Sequence, residues 1–295
     1  MRKISIDKLN SLFSAIAENE TLYLPVDTKA GAKFEKWHDG AVLSDALNTV
    51  RSAKDFFFPQ TENLMDFKVD GKNIEIIDTR EECEDFVIFG VRACDVKSFE
   101  ILDRVFLAEP VDSYYKNRRE HGVIMSLACT KPHETCFCGT FGIDASSPEG
   151  DIVCHMTGDA LCMDAKTEKG KALLSRLDSL TEETDGKAVE EQKKVTKERL
   201  AKLPLASLSA DSFGAGKTEK FFGAPEWKEL SQACLGCGTC TFVCPTCQCY
   251  DIKDFNTGHG VKRFRCWDSC MYSDFTKMSA GQPRLTQLER FRQRF

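Results

Sequence analysis

The run Cys234-Leu-Gly-Cys237-Gly-Thr-Cys240-Thr-Phe-Val-Cys244-Pro245 has the spacing C-x2-C-x2-C-x3-C-P. Three thiolates set three residues apart on a tightly wound loop can each take one iron of a single cubane. The fourth, before proline, leaves in another direction, and where two clusters are present it ligates the other one. Gly236 and Gly238 permit positive φ and a close approach of the backbone, so that loop amides can point at sulfur. Structural zinc normally pairs two separated C-x2-C knuckles through four ligands, whereas here the cysteines run on past four. Cys240, Cys244 and Cys247 also fit C-x3-C-x2-C, the spacing of radical enzymes. Only 48 residues follow Cys247, too few for the series of strand–helix units such enzymes need.

Outward from this run the cysteines stay dense. Of 15 in the 295-residue chain, eight fall between Cys234 and Cys270. Crowded thiols in a chain without an export signal point to soft metal centres rather than disulfides. Cys247, Cys249 and Cys270 are further ligand candidates. Cys266 is the ambiguous one, since a thiol beside Trp267 suits packing equally well. Eight thiolates could hold two four-iron clusters, and spacing alone does not assign each cysteine to one of them. Cys83, Cys154 and Cys162 have no partner at a useful spacing and are read as non-ligands.

The net charge of −6 disfavours binding to nucleic acid. No apolar run approaches a membrane span, and the N-terminal MRKISIDKLNSLFSAIAENE lacks the apolar core of a signal peptide. A cytoplasmic protein is expected.

The pattern predicts an α+β protein: an N-terminal α/β domain over 1–180, a charged helical linker and loop over 181–217, and a C-terminal ferredoxin-like 4Fe-4S domain over 218–295. Residues 1–55 read as helical apart from a short strand over 21–26. Asp70-Gly71 reads as a tight turn leading into a strand over 73–77. FVIFGV (86–91) and VIMSLA (123–128) are apolar and short, as buried strands are, and residues 95–107 carry helical spacing between them. Residues 156–166 and 170–177 suggest a strand and a helix, and 187–203 an exposed linking helix.

Cys94 follows the first of those buried strands and Cys129 the second. If the strands are parallel neighbours joined by the 95–107 helix, both ends lie on one sheet edge, where ligand sites of open α/β sheets gather. Cys136 and Cys138 follow within ten residues of Cys129. Cys94, Cys129, Cys136 and Cys138 are therefore candidates for a further cluster, with His133 a surface group.

Taken together, Gly90-Val-Arg-Ala-Cys94-Asp95, Thr135-Cys136-Phe-Cys138, the cysteine run through Cys249-Tyr250-Asp251, Trp267-Asp268-Ser269-Cys270 and Gln287–Arg294 (QLERFRQR) resemble the iron–sulfur beta subunits of sulfhydrogenases and the corresponding iron–sulfur subunit of anaerobic sulfite reductases. Related subunits occur in flavin-based electron-bifurcating complexes. The resemblance implies a non-catalytic subunit that relays electrons through two or more 4Fe-4S clusters. Its neighbours would be a flavin- and NAD(P)-binding, reductase-like subunit carrying FAD and a catalytic or further iron–sulfur subunit. The chain itself shows no G-x-G-x-x-G fingerprint or phosphate loop. Family members usually continue into a second cysteine run, and Leu285, Leu288, Phe291 and Phe295 keep helical spacing to the last residue. The expectation is that further cysteine-bearing residues belong beyond Phe295. Cys234, Cys237 and Cys240 would then share one cluster with a ligand from there, and Cys244 would serve another. Two other readings compete. One is a zinc-stabilised interaction module without redox function. The other is an enzyme that reduces a substrate at a cluster with an open iron site.

Overall fold

The computed structural model describes residues 1–80, 83–214 and 216–295. Its strands are β1 (Arg2–Ser5), β2 (Thr21–Thr28), β3 (Gly31–Lys36), β4 (Thr61–Asp70), β5 (Asn73–Asp78), β6 (Phe86–Val91), β7 (Gly122–Leu127), β8 (Ile152–Thr157), β9 (Ala160–Ala165), β10 (Glu182–Glu183), β11 (Tyr250–Asn256) and β12 (Gly260–Trp267). Its helices are α1 (Leu9–Ala17), α2 (Lys54–Phe57), α3 (Ala93–Phe106), α4 (Ser113–His121), α5 (Glu168–Arg176), α6 (Lys187–Leu200), α7 (Glu226–Leu230), α8 (Thr239–Val243) and α9 (Gln287–Arg294). This is a mixed α+β chain. It divides into two compact units, one of Met1–Phe57 with Cys83–Leu208 and the other of Phe58–Glu82 with Ser209–Phe295. Among the described residues no helix is long and apolar enough to cross a membrane.

The first unit is built on an eight-stranded sheet of order β10-β1-β9-β8-β7-β6-β2-β3. Its centre, β2, β6, β7 and β8, is parallel. Such strands are covered on both faces and need near-continuous apolar sequence. FVIFGV supplies it, and every residue of β6 is buried. On one face α1 lays down Leu9, Leu12, Phe13 and Ile16, the i, i+3, i+4, i+7 stripe of an amphipathic helix, against Leu22, Leu24, Val87, Phe89 and Met125. Fully burying side chains of this size is worth about 1.5–3 kcal/mol each, so this unit has a core of its own. Phe57 and Phe99 meet edge to face with centroids 4.9 Å apart, and the Arg119 guanidinium lies over Phe57 at 4.7 Å.

Three expectations for this unit need correcting. Within residues 1–55 the helical segments are a 3-10 turn over Ile6–Lys8, α1 and the start of α2. Instead β2 and β3 form a hairpin that turns at Gly31 (φ +108°), with Thr28 Oγ1 donating to the Gly31 carbonyl at 2.6 Å. Sheet pairing has overridden local helical propensity there. Residues 156–166 are not one strand, because Gly158 (φ +60°) folds them into the β8–β9 hairpin. Finally, α6 is not simply solvated. Val189 and Thr196, seven residues apart on one face, are buried, and Gln192 donates to the Met156 carbonyl. Two small residues at that spacing dock a helix whose other positions are charged.

The second unit holds a four-stranded antiparallel sheet of order β11-β12-β4-β5. Asp70 pairs with Asn73 around Gly71 (φ +59°), as the Asp-Gly signal predicts. The β4–β5 hairpin reaches this sheet from far upstream by pairing β4 with β12. Arg265 and Glu62, both 4% exposed at the side chain, form a buried ion pair across those strands at 2.5 Å. Phe58 stacks on Trp267 with centroids 5.9 Å apart, and Phe242 packs on Trp267 at 5.8 Å. The apolar core of this unit is small.

Candidate functional site

The cysteine loop of the second unit is shaped by its glycines. Gly236 has φ +68° and Gly238 φ +74°, conformations L side chains rarely adopt. A Cβ on Gly238 would come within 2.8 Å of the Tyr272 ring, and one on Gly236 within 3.0 Å of Gln287 Oε1. Immediately after Gly238 the chain enters α8, which carries Cys240. It leaves that helix at Cys244 with extended backbone (φ −72°, ψ 125°), so the residue before Pro245 departs from the line of the first three cysteines. The Thr241 and Ser269 hydroxyls share a buried hydrogen bond of 2.8 Å, tying α8 to the segment that carries Cys270.

Polar groups converge on the sulfurs. Gln287 Nε2 donates to Cys234 Sγ at 3.1 Å, Cys237 Sγ lies 3.3 Å from Thr239 Oγ1, and Cys244 Sγ lies 3.2 Å from Thr246 Oγ1. The Thr239 hydroxyl holds the Cys237 thiol below its usual range. Cys244 and Cys247 hydrogen-bond to each other, which pulls Cys244 down with help from Thr246 and Arg294 against burial. Cys249 and Cys270 form a second such pair, in which the Cys249 hydrogen bond lowers Cys270. Arg294 Nη1 donates to Cys247 Sγ, and its Nη2 donates to the Cys240 carbonyl at 2.7 Å.

Cys266 stands apart. It pairs with Asp251 and Thr61 in the sheet, and alternation along β12 places it on the face opposite Trp267. No described contact joins it to another cysteine.

In the first unit β6 and β7 are indeed parallel neighbours. Cys94 opens α3 directly after β6, and Cys129 follows β7, its amide donating to the Ala145 carbonyl at 2.8 Å. Cys129 is buried with Ala93 and Ala145, and Cys138 packs against that cluster. The four thiols feel one another. Desolvation first, then Asp95, Cys138 and Cys129, pushes Cys94 up to about 12. Burial pushes Cys129 up to about 11, with Cys138 and Cys136 adding and Arg92 opposing. Arg92 is fixed between strand ends, donating to the carbonyls of Leu47 at 2.9 Å, Ala46 at 3.2 Å and Ala128 at 3.2 Å. His133 is exposed and bonded to Thr135 at 2.9 Å, outside the thiol group. Cys154 and Cys162 are buried in β8 and β9.

No disulfide joins any of the cysteines among the described residues. Among the described residues no three of His, Cys, Asp and Glu lie close enough to share one metal ion. Cubane thiolates each bind a different iron and stand farther apart than the ligands of one zinc. The donor set fits a cubane in other respects. It is all thiol, the glycine cradle would be filled by a Cβ, and the Arg294 Nε–H is buried beside the thiols without an acceptor among the described residues. Gln287, Arg294 and Arg92 lie in stretches that carry the family resemblance, but the sequence alone assigns them no role at the thiols. Gln287 and Arg294 are seven residues apart on a helix, so they share a face, and that periodicity was the available signal.

A family model for a 4Fe-4S dicluster domain matches residues 233–295. Sulfhydrogenase 2 subunit beta of Pyrococcus furiosus is 31% identical over 303 aligned positions, spanning 99% of this chain and 86% of the relative's length. No solved structure matches the chain. With that identity running through both units and the dicluster model over the cysteine loop, the chain belongs to the family of sulfhydrogenase beta subunits and is an iron–sulfur electron-transfer subunit.

Proposed function

We propose that this chain relays single electrons through two or more 4Fe-4S clusters. Cys234, Cys237, Cys240, Cys244, Cys247, Cys249 and Cys270 would serve as ligands in the second unit, and Cys94, Cys129, Cys136 and Cys138 would hold a cluster in the first. The relay would run between a flavin- and NAD(P)-binding partner subunit carrying FAD and a catalytic or further iron–sulfur subunit of a cytoplasmic oxidoreductase complex. The observation that carries the reading is the gathering of ferredoxin-spaced thiols under hydrogen-bond donors on a glycine-shaped loop. A bound cubane stores one electron with little rearrangement, at a potential set by its type, its hydrogen bonds and its burial.

The chain's own residues do the rest. The thiolates hold iron, Gly236 and Gly238 let the backbone approach, and Phe242 and Trp267 pack beside the loop and limit water. Cys266 remains a candidate by its place in the cysteine count, although its strand position favours packing. The electrostatic influence of Cys136, Cys138, Cys129 and Cys94 on one another, with Cys94 and Cys129 after the parallel strands β6 and β7, supports the first-unit cluster. A beta subunit of a named hydrogenase among the relatives supports assembly with other subunits.

The test is redox cycling of protein purified without oxygen. Brown protein that bleaches with dithionite and regains colour on adding an oxidised, FAD-bearing partner supports the relay. Colourless protein with stoichiometric zinc would make the chain a docking module instead.

A further inference from the structure

Helix α9 crosses the cysteine loop with a capping box at its start, where Thr286 and Glu289 bond each other's backbone, so its register is set from the first turn. Two of its residues, one heptad apart, donate to two different cysteines. Gln287 Nε2 reaches Cys234 Sγ at 3.1 Å, and Arg294 Nη1 reaches Cys247 Sγ. Neither contact is free to rotate away. Arg290 Nη2 donates to Gln287 Oε1 at 3.0 Å, which turns the amide's NH2 toward sulfur. Arg294 Nη2 is tied to the Cys240 carbonyl at 2.7 Å. Gly236 leaves the space Gln287 occupies, since a Cβ there would lie 3.0 Å from Oε1. The two donors differ in charge: one is a neutral amide, the other a guanidinium that also faces Cys244.

Resting on the reading of these thiols as cluster ligands, we infer that α9 is a potential-setting helix, with Gln287 and Arg294 as positioning residues that raise the potentials of the two second-unit clusters unequally. The physical ground is that an added electron makes a cluster more negative. N–H donors and positive charge at its sulfurs therefore favour the reduced form, and a charged donor does so about twice as strongly as a neutral one. The graded difference between the two contacts would order the clusters along the relay.

The experiment is a redox titration, followed by electron paramagnetic resonance, of the oxygen-protected whole protein and of the variants Gln287→Leu, Arg294→Leu and Arg294→Lys, each with its iron content measured. Expected is a fall in one midpoint in Gln287→Leu and a larger fall in the other in Arg294→Leu. The larger shift would be about tenfold in the oxidised-to-reduced ratio, or about 59 mV for one electron. Arg294→Lys should recover part of it by keeping the charge. If Arg294→Leu loses one cluster while Gln287→Leu stays fully loaded, the donor governs whether that cluster is held, which also supports the assignment. Unmoved midpoints in fully loaded Gln287→Leu and Arg294→Leu overturn the inference and leave the relay intact. Absence of iron from the parent protein overturns the relay itself.

Discussion

Cys234, Cys237 and Cys240 come from one short stretch of the second unit, a loop running into α8, whereas Cys94 and Cys129 are brought to one sheet edge of the first unit because β6 and β7 are parallel neighbours. The surroundings differ as much as the routes. Thr239 holds Cys237 below its ordinary range, Thr246 and Arg294 help to lower Cys244, and Gln287 donates to Cys234. The first unit buries only Cys129 of its four thiols, Cys94 is exposed, and its cation, Arg92, is engaged by backbone carbonyls; desolvation and the neighbouring thiols push Cys94 and Cys129 up instead. The supporting structure differs again. The first unit packs a large apolar core around its sheet, while the second combines a small core with a buried ion pair. Removing a thiol should therefore have different consequences on the two sides.

The largest contrast is expected from a pair of variants. Cys237→Ala should lose about four iron atoms and lower the melting temperature of the second unit, because a bound cluster would add to the stability of so small a core. Cys129→Ala should also lose about four iron atoms but leave the first unit folded, with a change of about 1 kcal/mol. Iron analysis with calorimetry checks both, and equal destabilisation of the two units would remove the contrast.

Next in size is Glu62→Gln. It leaves the Arg265 guanidinium buried without its carboxylate, and breaking such a pair costs about 3–5 kcal/mol. Denaturant unfolding should report this loss in the second unit alone. Gly238→Ala should cost about 1–2 kcal/mol for the left-handed backbone, and more if Tyr272 fails to yield to the new Cβ. If the loop is the fragile part, that variant should also lose iron faster to a chelator.

Much of this was legible beforehand where physics is local. FVIFGV has no choice but a buried strand, and Asp70-Gly71 marks its hairpin without help from the rest of the chain. The ferredoxin spacing marks its own candidate ligands. The parallel pairing of β6 and β7 was legible as a condition, because two apolar strands and the helix between them admit few arrangements. What could not be read depended on partners far away. Residues 31–36 are strand because β2 pairs with them, and β4 belongs to the second unit because β12 pairs with it. Arg92, Gln287 and Arg294 are ordinary polar residues in sequence, and only tertiary contact puts them at the sulfurs.

All of these expectations rest on the thiols holding iron–sulfur cubanes, and the sharpest check is the iron and acid-labile sulfide content of the oxygen-protected whole protein. Iron and sulfide are expected in equal amounts, about four of each per cluster, with paramagnetic signals after dithionite reduction. Protein carrying zinc with neither iron nor sulfide would contradict the assignment.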